Sequence, residues 1–208
     1  MGEILERQQA PTRHRLDVDA YYKMAEAGIL TPKDRVELID GEIFDMVPIG
    51  SMHGGTTNRL NRLFARAAAG GLALVSVQSP LRLDAWNEPE PDLMLLKPRA
   101  DDYRGRHPGA ADVLLLVEVS ETSLAHDRET KLPLYAKFGV PEVWIVDLKG
   151  AAIEVYREPK GDAYVFKERL TSGSLAPALV RHDRHRRALG LTLTSRLSKV
   201  GDATLVLG

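Results

Sequence analysis

The segment Val113–Val119 constrains the fold more than any other part of the chain, because six of its seven residues are apolar. A short run that is apolar on both of its alternating faces is typical of a strand in the centre of a sheet, covered on each side. The one polar residue of the run, Glu118, lies inside this strand and is expected to be buried with it. A carboxylate in such a place is costly unless a partner or a cation compensates its charge. The run therefore predicts the middle of a sheet and, within it, a chemically unusual acid.

The pattern around this strand predicts an α/β fold of the α+β kind, a mixed sheet with helices packed on it. Apolar periodicity and capping residues predict helices over 18–27, 52–69 and 130–138, and strands over 72–83, 92–96, 112–119, 143–147, 151–157 and 165–170. Asp40-Gly41, between two short apolar runs, predicts a two-residue hairpin, because a type I′ turn needs positive φ at both central residues. Pro133 has no backbone N–H and is tolerated in a first helical turn, so Lys131 is expected near the start of its helix.

The elements divide the chain into three predicted segments. Residues 1–16 form a flexible N-terminus, residues 17–175 a single domain, and residues 176–208 a divergent basic C-terminal segment. The last segment contains the basic cluster Arg181–Arg187. This cluster fits a DNA-contacting arm, a solvated tail or a divergent end, and the residues alone do not decide between them.

Composition narrows the chemistry. With 208 residues, 44% of them hydrophobic and 27% charged, the chain can bury a core. It has no cysteine, which excludes disulfides and thiolate metal sites and leaves oxygen or imidazole ligands, typical of Mg²⁺, Mn²⁺ or Ca²⁺. The six histidines show no HExxH or paired spacing, which disfavours a zinc hydrolase. A net charge of -1 disfavours a protein that coats nucleic acid, but a nuclease that touches few phosphates remains compatible with it.

Localisation is predicted from what the sequence lacks. The N-terminus has no secretory signal and no apolar run could span a bilayer, so a cytoplasmic protein without membrane contact is expected. No nucleotide cofactor is expected either.

Asp92 is the acid most able to meet Glu118. If the strands pair as an antiparallel hairpin with Lys97 opposite Val113, the same register places Asp92 directly opposite Glu118, with Cβ atoms about 4.5–5.5 Å apart. Two ionised carboxylates at that separation repel each other, and a hard divalent cation between them is the simplest remedy. The alternative is that Asp92 caps a strand and Glu118 pairs with an arginine.

Five segments carry a resemblance to a known family. Glu90-Pro91-Asp92 followed by Val117-Glu118-Val119-Ser120 resembles the PD-(D/E)XK signature of restriction-type nucleases. More closely, the chain is similar to the Uma-two family of restriction-endonuclease-like proteins, known mainly from bacteria and abundant in cyanobacteria. The matching segments are Glu37–Glu42, Glu90–Leu93, Leu116–Ser120, Asp127–Ala136 and Gly139–Asp147, within a likeness that runs from about Tyr21 to Leu170.

The resemblance implies a restriction-endonuclease-like core, a central mixed sheet flanked by helices, that hydrolyses DNA with Mg²⁺ or Mn²⁺ held by Asp92 and Glu118. The signature expects a lysine two residues after the glutamate, where this chain has Ser120. By the resemblance, Lys131 takes over that role and Glu37 joins the catalytic group. The alternative for Lys131 is a solvated lysine at the start of a helix. The departure at position 120 also motivates the alternative, a catalytically inactive module of the same fold that binds nucleic acid or a protein partner. A homodimer is expected by analogy with nucleases that cut two strands with two subunits.

Three further residues, Glu37, His53 and Gln78, have two interpretations each. Glu37 is either a third site acid or the partner of an arginine such as Arg35 or Arg82. His53, at a helix start, could contact a phosphate of the substrate or be a polar first-turn residue. Gln78 could point into the site or bond within the sheet. Tyr135 has the helical context of a core residue.

Overall fold

A six-stranded mixed sheet is the centre of the fold in a computed structural model, which describes residues 12–175, 177, 191–194 and 204–206. The strands are β1 Val36–Ile39, β2 Glu42–Asp45, β3 Leu74–Val77, β4 Leu93–Leu96, β5 Val113–Ser120, β6 Glu142–Asp147, β7 Ala152–Lys160, β8 Ala163–Leu170, β9 Gly173–Leu175, β10 Leu191–Thr194 and β11 Thr204–Val206. The helices are α1 Val18–Glu26, α2 Ser51–Ala68, α3 Leu124–His126 and α4 Leu132–Lys137, with a 3-10 turn at Ala110–Asp112 and a π-helical turn at Asp127–Lys131.

The strand order in the main sheet is β3-β4-β5-β6-β7-β8. The β5–β6 pair is parallel and the other neighbouring pairs are antiparallel. Strand β5 lies inside this sheet, as its apolar sequence predicts. Strands β9, β10 and β11 form a separate three-stranded sheet, and β1 and β2 form a hairpin.

Helices cover the sheet on both faces, which explains why β5 is apolar throughout. On one face Leu60, Leu63 and Phe64 of α2 pack with Val117 and Trp144. On the other face Leu132, Tyr135 and Ala136 of the α4 region pack with Leu116 and Ile145. Since alternate strand residues point to opposite faces, Glu118 shares the α4 face with Leu116. The core thus directs Glu118 towards the helix that carries Lys131.

Two local predictions are confirmed in detail. By sequence, either Asp17 or Asp19 could cap the first helix; Asp17 does so, accepting a hydrogen bond from the backbone N–H of Ala20. Asp40 and Gly41 both have positive φ, 52° and 76°, in the β1–β2 turn. The register of the β1–β2 hairpin pairs Glu37 with Phe44, as the two-residue turn predicts.

The register of β4 and β5 confirms one part of the prediction and corrects another. Leu93 pairs with Val117, the register that brings Asp92 beside Glu118. Lys97 does not pair with Val113, because an irregularity between Leu95 and Leu96 shifts the register by one residue and pairs Leu96 with Val113.

The predicted strand over 72–83 and helix over 130–138 are both wrong in extent. The strand is only Leu74–Val77, because Gln78 has a φ of 45° and cannot continue it. Helical structure begins at Leu124 rather than near Lys131. Pro133 is accommodated by the π-helical turn before it, in which the N–H of Leu132 bonds to the carbonyl of Asp127.

Two predictions lie outside the described residues. They are the flexibility of residues 1–11 and the role of the basic cluster at 181–187. In the part of the chain that the structure describes, no helix combines the length and apolarity needed to cross a bilayer.

Candidate active site

A cavity of about 360 Å³ opens beside the start of β4 and the end of β5. Seven carboxylates and two cationic side chains line it. The carboxylates are Glu37, Asp45, Glu90, Asp92, Glu118, Glu121 and Asp127, and the cationic side chains are Arg35 and Lys131. This excess of negative charge repels a phosphate unless a cation is added.

Asp92 immediately precedes β4, and its two oxygens have different surroundings. Oδ2 accepts a hydrogen bond from the backbone N–H of Val119 at 2.9 Å and lies 3.0 Å from Nε2 of His53. Among the described residues, Oδ1 has a single long contact, with Nε2 of Gln78 at 3.5 Å. The carboxylate is therefore held in place through Oδ2, while Oδ1 keeps its capacity to bind a ligand.

Glu118 is 3% exposed and has the same asymmetry. Its Oε1 accepts a hydrogen bond from the hydroxyl of Tyr135 at 2.6 Å and lies 3.0 Å from Nζ of Lys131. Its Oε2 accepts a long bond, 3.4 Å, from the backbone N–H of Asp92. Burial raises the pKa of Glu118 to about 8; Lys131 opposes this rise and the charge of Asp92 adds to it. A divalent cation at Oε2 would favour the ionised form.

Lys131 is buried between two carboxylates. Its Nζ lies 3.1 Å from Oε2 of Glu37 and 3.0 Å from Oε1 of Glu118. Burial alone would lower the pKa of Lys131, but Glu118 and Glu37 outweigh it and raise the pKa. Lys131 is therefore a fixed positive charge at neutral pH.

Glu37 is the acid that pairs with Lys131. Burial opposes its ionisation, but Lys131, His126 and the backbone N–H of Glu90 together lower its pKa to about 2. The sequence left open whether Glu37 pairs with an arginine. Its partner is Lys131, and Arg82 pairs with Glu88 instead. Glu37 and Lys131 thus form a permanently charged pair at the wall of the cavity.

His53 and Gln78 both contact Asp92. The bond to Asp92 raises the pKa of His53, and burial opposes the rise. The first turn of α2 therefore presents His53 to an acid of the site, and Gln78 points towards the same acid from the end of β3.

The roles of two residues in the site, Tyr135 and Asp127, were not predicted from sequence. Tyr135 is a core residue, as expected, but its hydroxyl bonds to Glu118. Asp127 is 4% exposed and accepts hydrogen bonds of 2.6 Å from Ser120 and from Ser123. One signal was available in the sequence: Lys131 and Tyr135 are four residues apart, which places them on one face of a helix.

The donor atoms fit a hard divalent cation that keeps part of its water shell. Within the described residues, no group of three or more histidine, aspartate or glutamate side chains could hold a metal ion. Mg²⁺ often binds through one or two carboxylates and completes its shell with water and substrate phosphate. Asp92 and Glu118 both line the cavity, and each has one lightly engaged oxygen. These two residues therefore fit Mg²⁺ or Mn²⁺ and do not form a closed structural metal cage.

Comparisons with known proteins identify the family and the fold. The chain matches the model of a family described as "Uma2: Putative restriction endonuclease" over residues 18–183. Its structure is similar to a crystal structure described as "a putative nuclease belonging to DUF820" from Anabaena variabilis ATCC 29413, with a TM-score of 0.59, 13% identity and coverage of 80% of this chain and 92% of that chain. At that identity the likeness concerns the fold alone, and it confirms the predicted fold class. No curated protein matches the sequence significantly.

Proposed function

The chain belongs to the Uma2 family of restriction-endonuclease-like proteins, and from this premise we propose that it is a metal-dependent endonuclease that hydrolyses phosphodiester bonds of DNA. Family and fold support a nuclease of the restriction-endonuclease type. The observation that carries the finer proposal is the cluster of Asp92, Glu118 and Lys131. Asp92 immediately precedes β4, next to the Leu93–Val117 pair that Glu118 follows in β5, and a buried ammonium lies 3.0 Å from Glu118.

Asp92 and Glu118 would hold Mg²⁺ or Mn²⁺. When bound, such an ion polarises a phosphoryl oxygen and lowers the pKa of a water molecule. The protein prepares for it by fixing one oxygen of each carboxylate, through Val119 N–H and His53 on Asp92, and through Tyr135 and Lys131 on Glu118.

Lys131 supplies the positive charge that Ser120 cannot. It enters from the helical side of the cavity, and Glu37 keeps it charged. An ammonium fixed in this way stabilises the negative charge that develops on the phosphate without reorganising during the reaction. His53 lines the cavity and is assigned to the substrate, and it also orients Asp92. Gln78 does not line the cavity, so any contact with the substrate would be made beside Asp92.

The inactive alternative is not favoured. It was motivated by the absence of a lysine at position 120, and Lys131 provides a cation beside the same glutamate. We therefore keep the catalytic assignment, with DNA as substrate and a homodimer as the assembly that would cut both strands. Sedimentation of the protein with and without DNA tests the assembly.

The decisive experiment replaces Asp92 with alanine. Cleavage of supercoiled plasmid in Mg²⁺ or Mn²⁺ is expected to fall by roughly 10²–10³-fold, because one of the two cation ligands is lost. Asp162→Ala, at the exposed β7–β8 turn, is the matched control and should cut like the wild type. Circular dichroism checks that both variants fold, and excess EDTA should stop the wild-type reaction. Unchanged cleavage by Asp92→Ala would reject the proposed site.

A further inference from the structure

The two oxygens of Glu118 are prepared for different tasks. Oε1 is engaged by two donors from one helical face, the hydroxyl of Tyr135 at 2.6 Å and the ammonium of Lys131 at 3.0 Å. Oε2 has one long bond in the described part of the chain, 3.4 Å from the N–H of Asp92. A carboxylate held at one oxygen cannot rotate freely, so its second oxygen keeps a fixed direction beside Asp92.

Both donors reach Glu118 because they lie four residues apart on the helical segment that covers β5. Tyr135 is fully buried and packs in the same apolar cluster as Leu116 and Ile145. Its ring is immobilised on that face of the sheet, and its hydroxyl is immobilised with it. The position of this donor is therefore set by packing and not by the cation.

A hydroxyl suits this position better than a second ammonium would. Two cations at Oε1 would compensate the charge of Glu118 completely and weaken its attraction for a metal ion. A phenol donates a strong hydrogen bond and adds no charge. Tyr135 thus restrains Glu118, while Lys131 supplies the single positive charge.

We propose that Tyr135 is a positioning residue for the metal site: it holds Oε1 of Glu118 so that Oε2 is presented, with Asp92, to a divalent cation. The inference rests on the proposed function, in which Glu118 is a ligand of that cation. Partners that orient metal ligands typically change metal affinity or activity 10–100-fold when they are removed.

The chain offers a matched control for this residue. Tyr164 is 3% exposed, packs in the same apolar cluster as Tyr135, and donates its hydroxyl to the carbonyl oxygen of Val140 at 2.8 Å. It contacts no carboxylate of the site in the described residues. Tyr164→Phe therefore removes one buried hydrogen bond from the same core without touching Glu118.

The experiment measures Mn²⁺ binding by calorimetry to the full chain, to Tyr135→Phe and to Tyr164→Phe. The dissociation constant for Mn²⁺ should rise about 10–100-fold in Tyr135→Phe and stay within about twofold in Tyr164→Phe. Both variants keep the aromatic ring, so their unfolding midpoints should fall by similar, small amounts. In plasmid cleavage at a fixed, limiting Mn²⁺ concentration, Tyr135→Phe should lower kcat more than it raises KM for DNA.

The outcomes separate the inference from the proposed function. Equal Mn²⁺ affinity of Tyr135→Phe and wild type, or equal weakening in both tyrosine variants, overturns the positioning role. A wild type that binds Mn²⁺ but does not cleave DNA, with weaker binding in Tyr135→Phe, supports the positioning role and rejects the nuclease. A wild type that binds no Mn²⁺ overturns both.

Discussion

Two buried glutamates on neighbouring strands have opposite surroundings. Glu142 of β6 is 1% exposed and pairs with Arg157, whose Nε and Nη2 lie at 2.8 and 2.6 Å; it also accepts a bond from Nε1 of Trp144. Glu118 of β5 shares Lys131 with Glu37 and lies beside Asp92. The cavity is lined by Glu118 and not by Glu142. Both regions therefore contain a buried carboxylate. The candidate site differs because an excess of carboxylates lines an open cavity.

The largest expected contrast comes from the same substitution at the two positions. Glu118→Gln should lower metal-dependent cleavage on the order of 10³-fold or more, since it removes a proposed cation ligand. It should change the free energy of unfolding by less than about 1 kcal/mol at pH 7 without metal, because burial raises the pKa of Glu118 and disfavours its charge, and Lys131 keeps Glu37 as an ionised partner.

Glu142→Gln should have the reverse profile. It removes a buried carboxylate that lies 2.6 Å from Arg157 and should lower the free energy of unfolding by about 3–5 kcal/mol. The molecules that remain folded should cleave at the wild-type rate. Urea unfolding and plasmid cleavage measure both quantities for both variants. A large loss of stability in Glu118→Gln, or a selective loss of activity in Glu142→Gln, would remove the distinction between the two regions.

Within the site, the ion pair of Glu37 and Lys131 resembles the pair of Glu142 and Arg157 more than it resembles the surroundings of Glu118. The pKa of Glu37 is lowered from 4.5 to about 2 in the folded state, because Lys131, His126 and a backbone N–H outweigh the effect of burial. A lowered carboxyl pKa gives stability that is present above about pH 4.5 and is lost as pH falls from 4.5 towards 2. Glu37→Gln should therefore lower the free energy of unfolding by a few kcal/mol at pH 7 and by progressively less below pH 4.5.

Urea unfolding between pH 2 and pH 7, with EDTA present, measures this difference. Glu168→Gln, an exposed position on β8, is the control and should follow the wild type at every pH. If Glu37→Gln and the wild type differ by a constant amount from pH 7 to pH 2, Glu37 has no lowered pKa and the pair with Lys131 is not charged as described.

The sequence identified the strands of the site well because their signals are local. The apolar run of β5, the Asp40-Gly41 turn and the capping Asp17 each determine structure over a few residues. The register that brings Asp92 to Glu118 was also predicted, although through a pairing of Lys97 with Val113 that does not occur. The irregularity between Leu95 and Leu96 shifts the pairing of β4 and β5 by one residue, and bulges of this kind have no clear sequence signature.

The parts that the sequence did not predict depend on contacts between distant elements. Pro133 indicated a helix start, but the π-helical turn lets the chain continue through it, and that turn is held by tertiary bonds to Asp127. Tyr135 has the sequence pattern of a core residue whether or not its hydroxyl reaches a carboxylate. The partner of Glu37 was open for the same reason, since it is set by how the β1–β2 hairpin meets the helix that carries Lys131.

The smallest expected effect concerns Ser120, the residue at the lysine position of the nuclease signature. Its hydroxyl donates to Oδ2 of Asp127 at 2.6 Å, and Ser123 donates to the same oxygen. Ser120→Ala should lower the free energy of unfolding by about 1 kcal/mol, because Asp127 keeps one of its two hydroxyl donors. Ser123→Ala, at the less buried of the two serines, should cost less, since water can replace that bond.

Plasmid cleavage by Ser120→Ala should fall only a few-fold if Lys131 carries the positive charge alone. A loss of activity as large as that of Asp92→Ala, with stability preserved, would instead mean that position 120 takes part in the chemistry through its hydroxyl, and that the charge on the neighbouring helix is not sufficient.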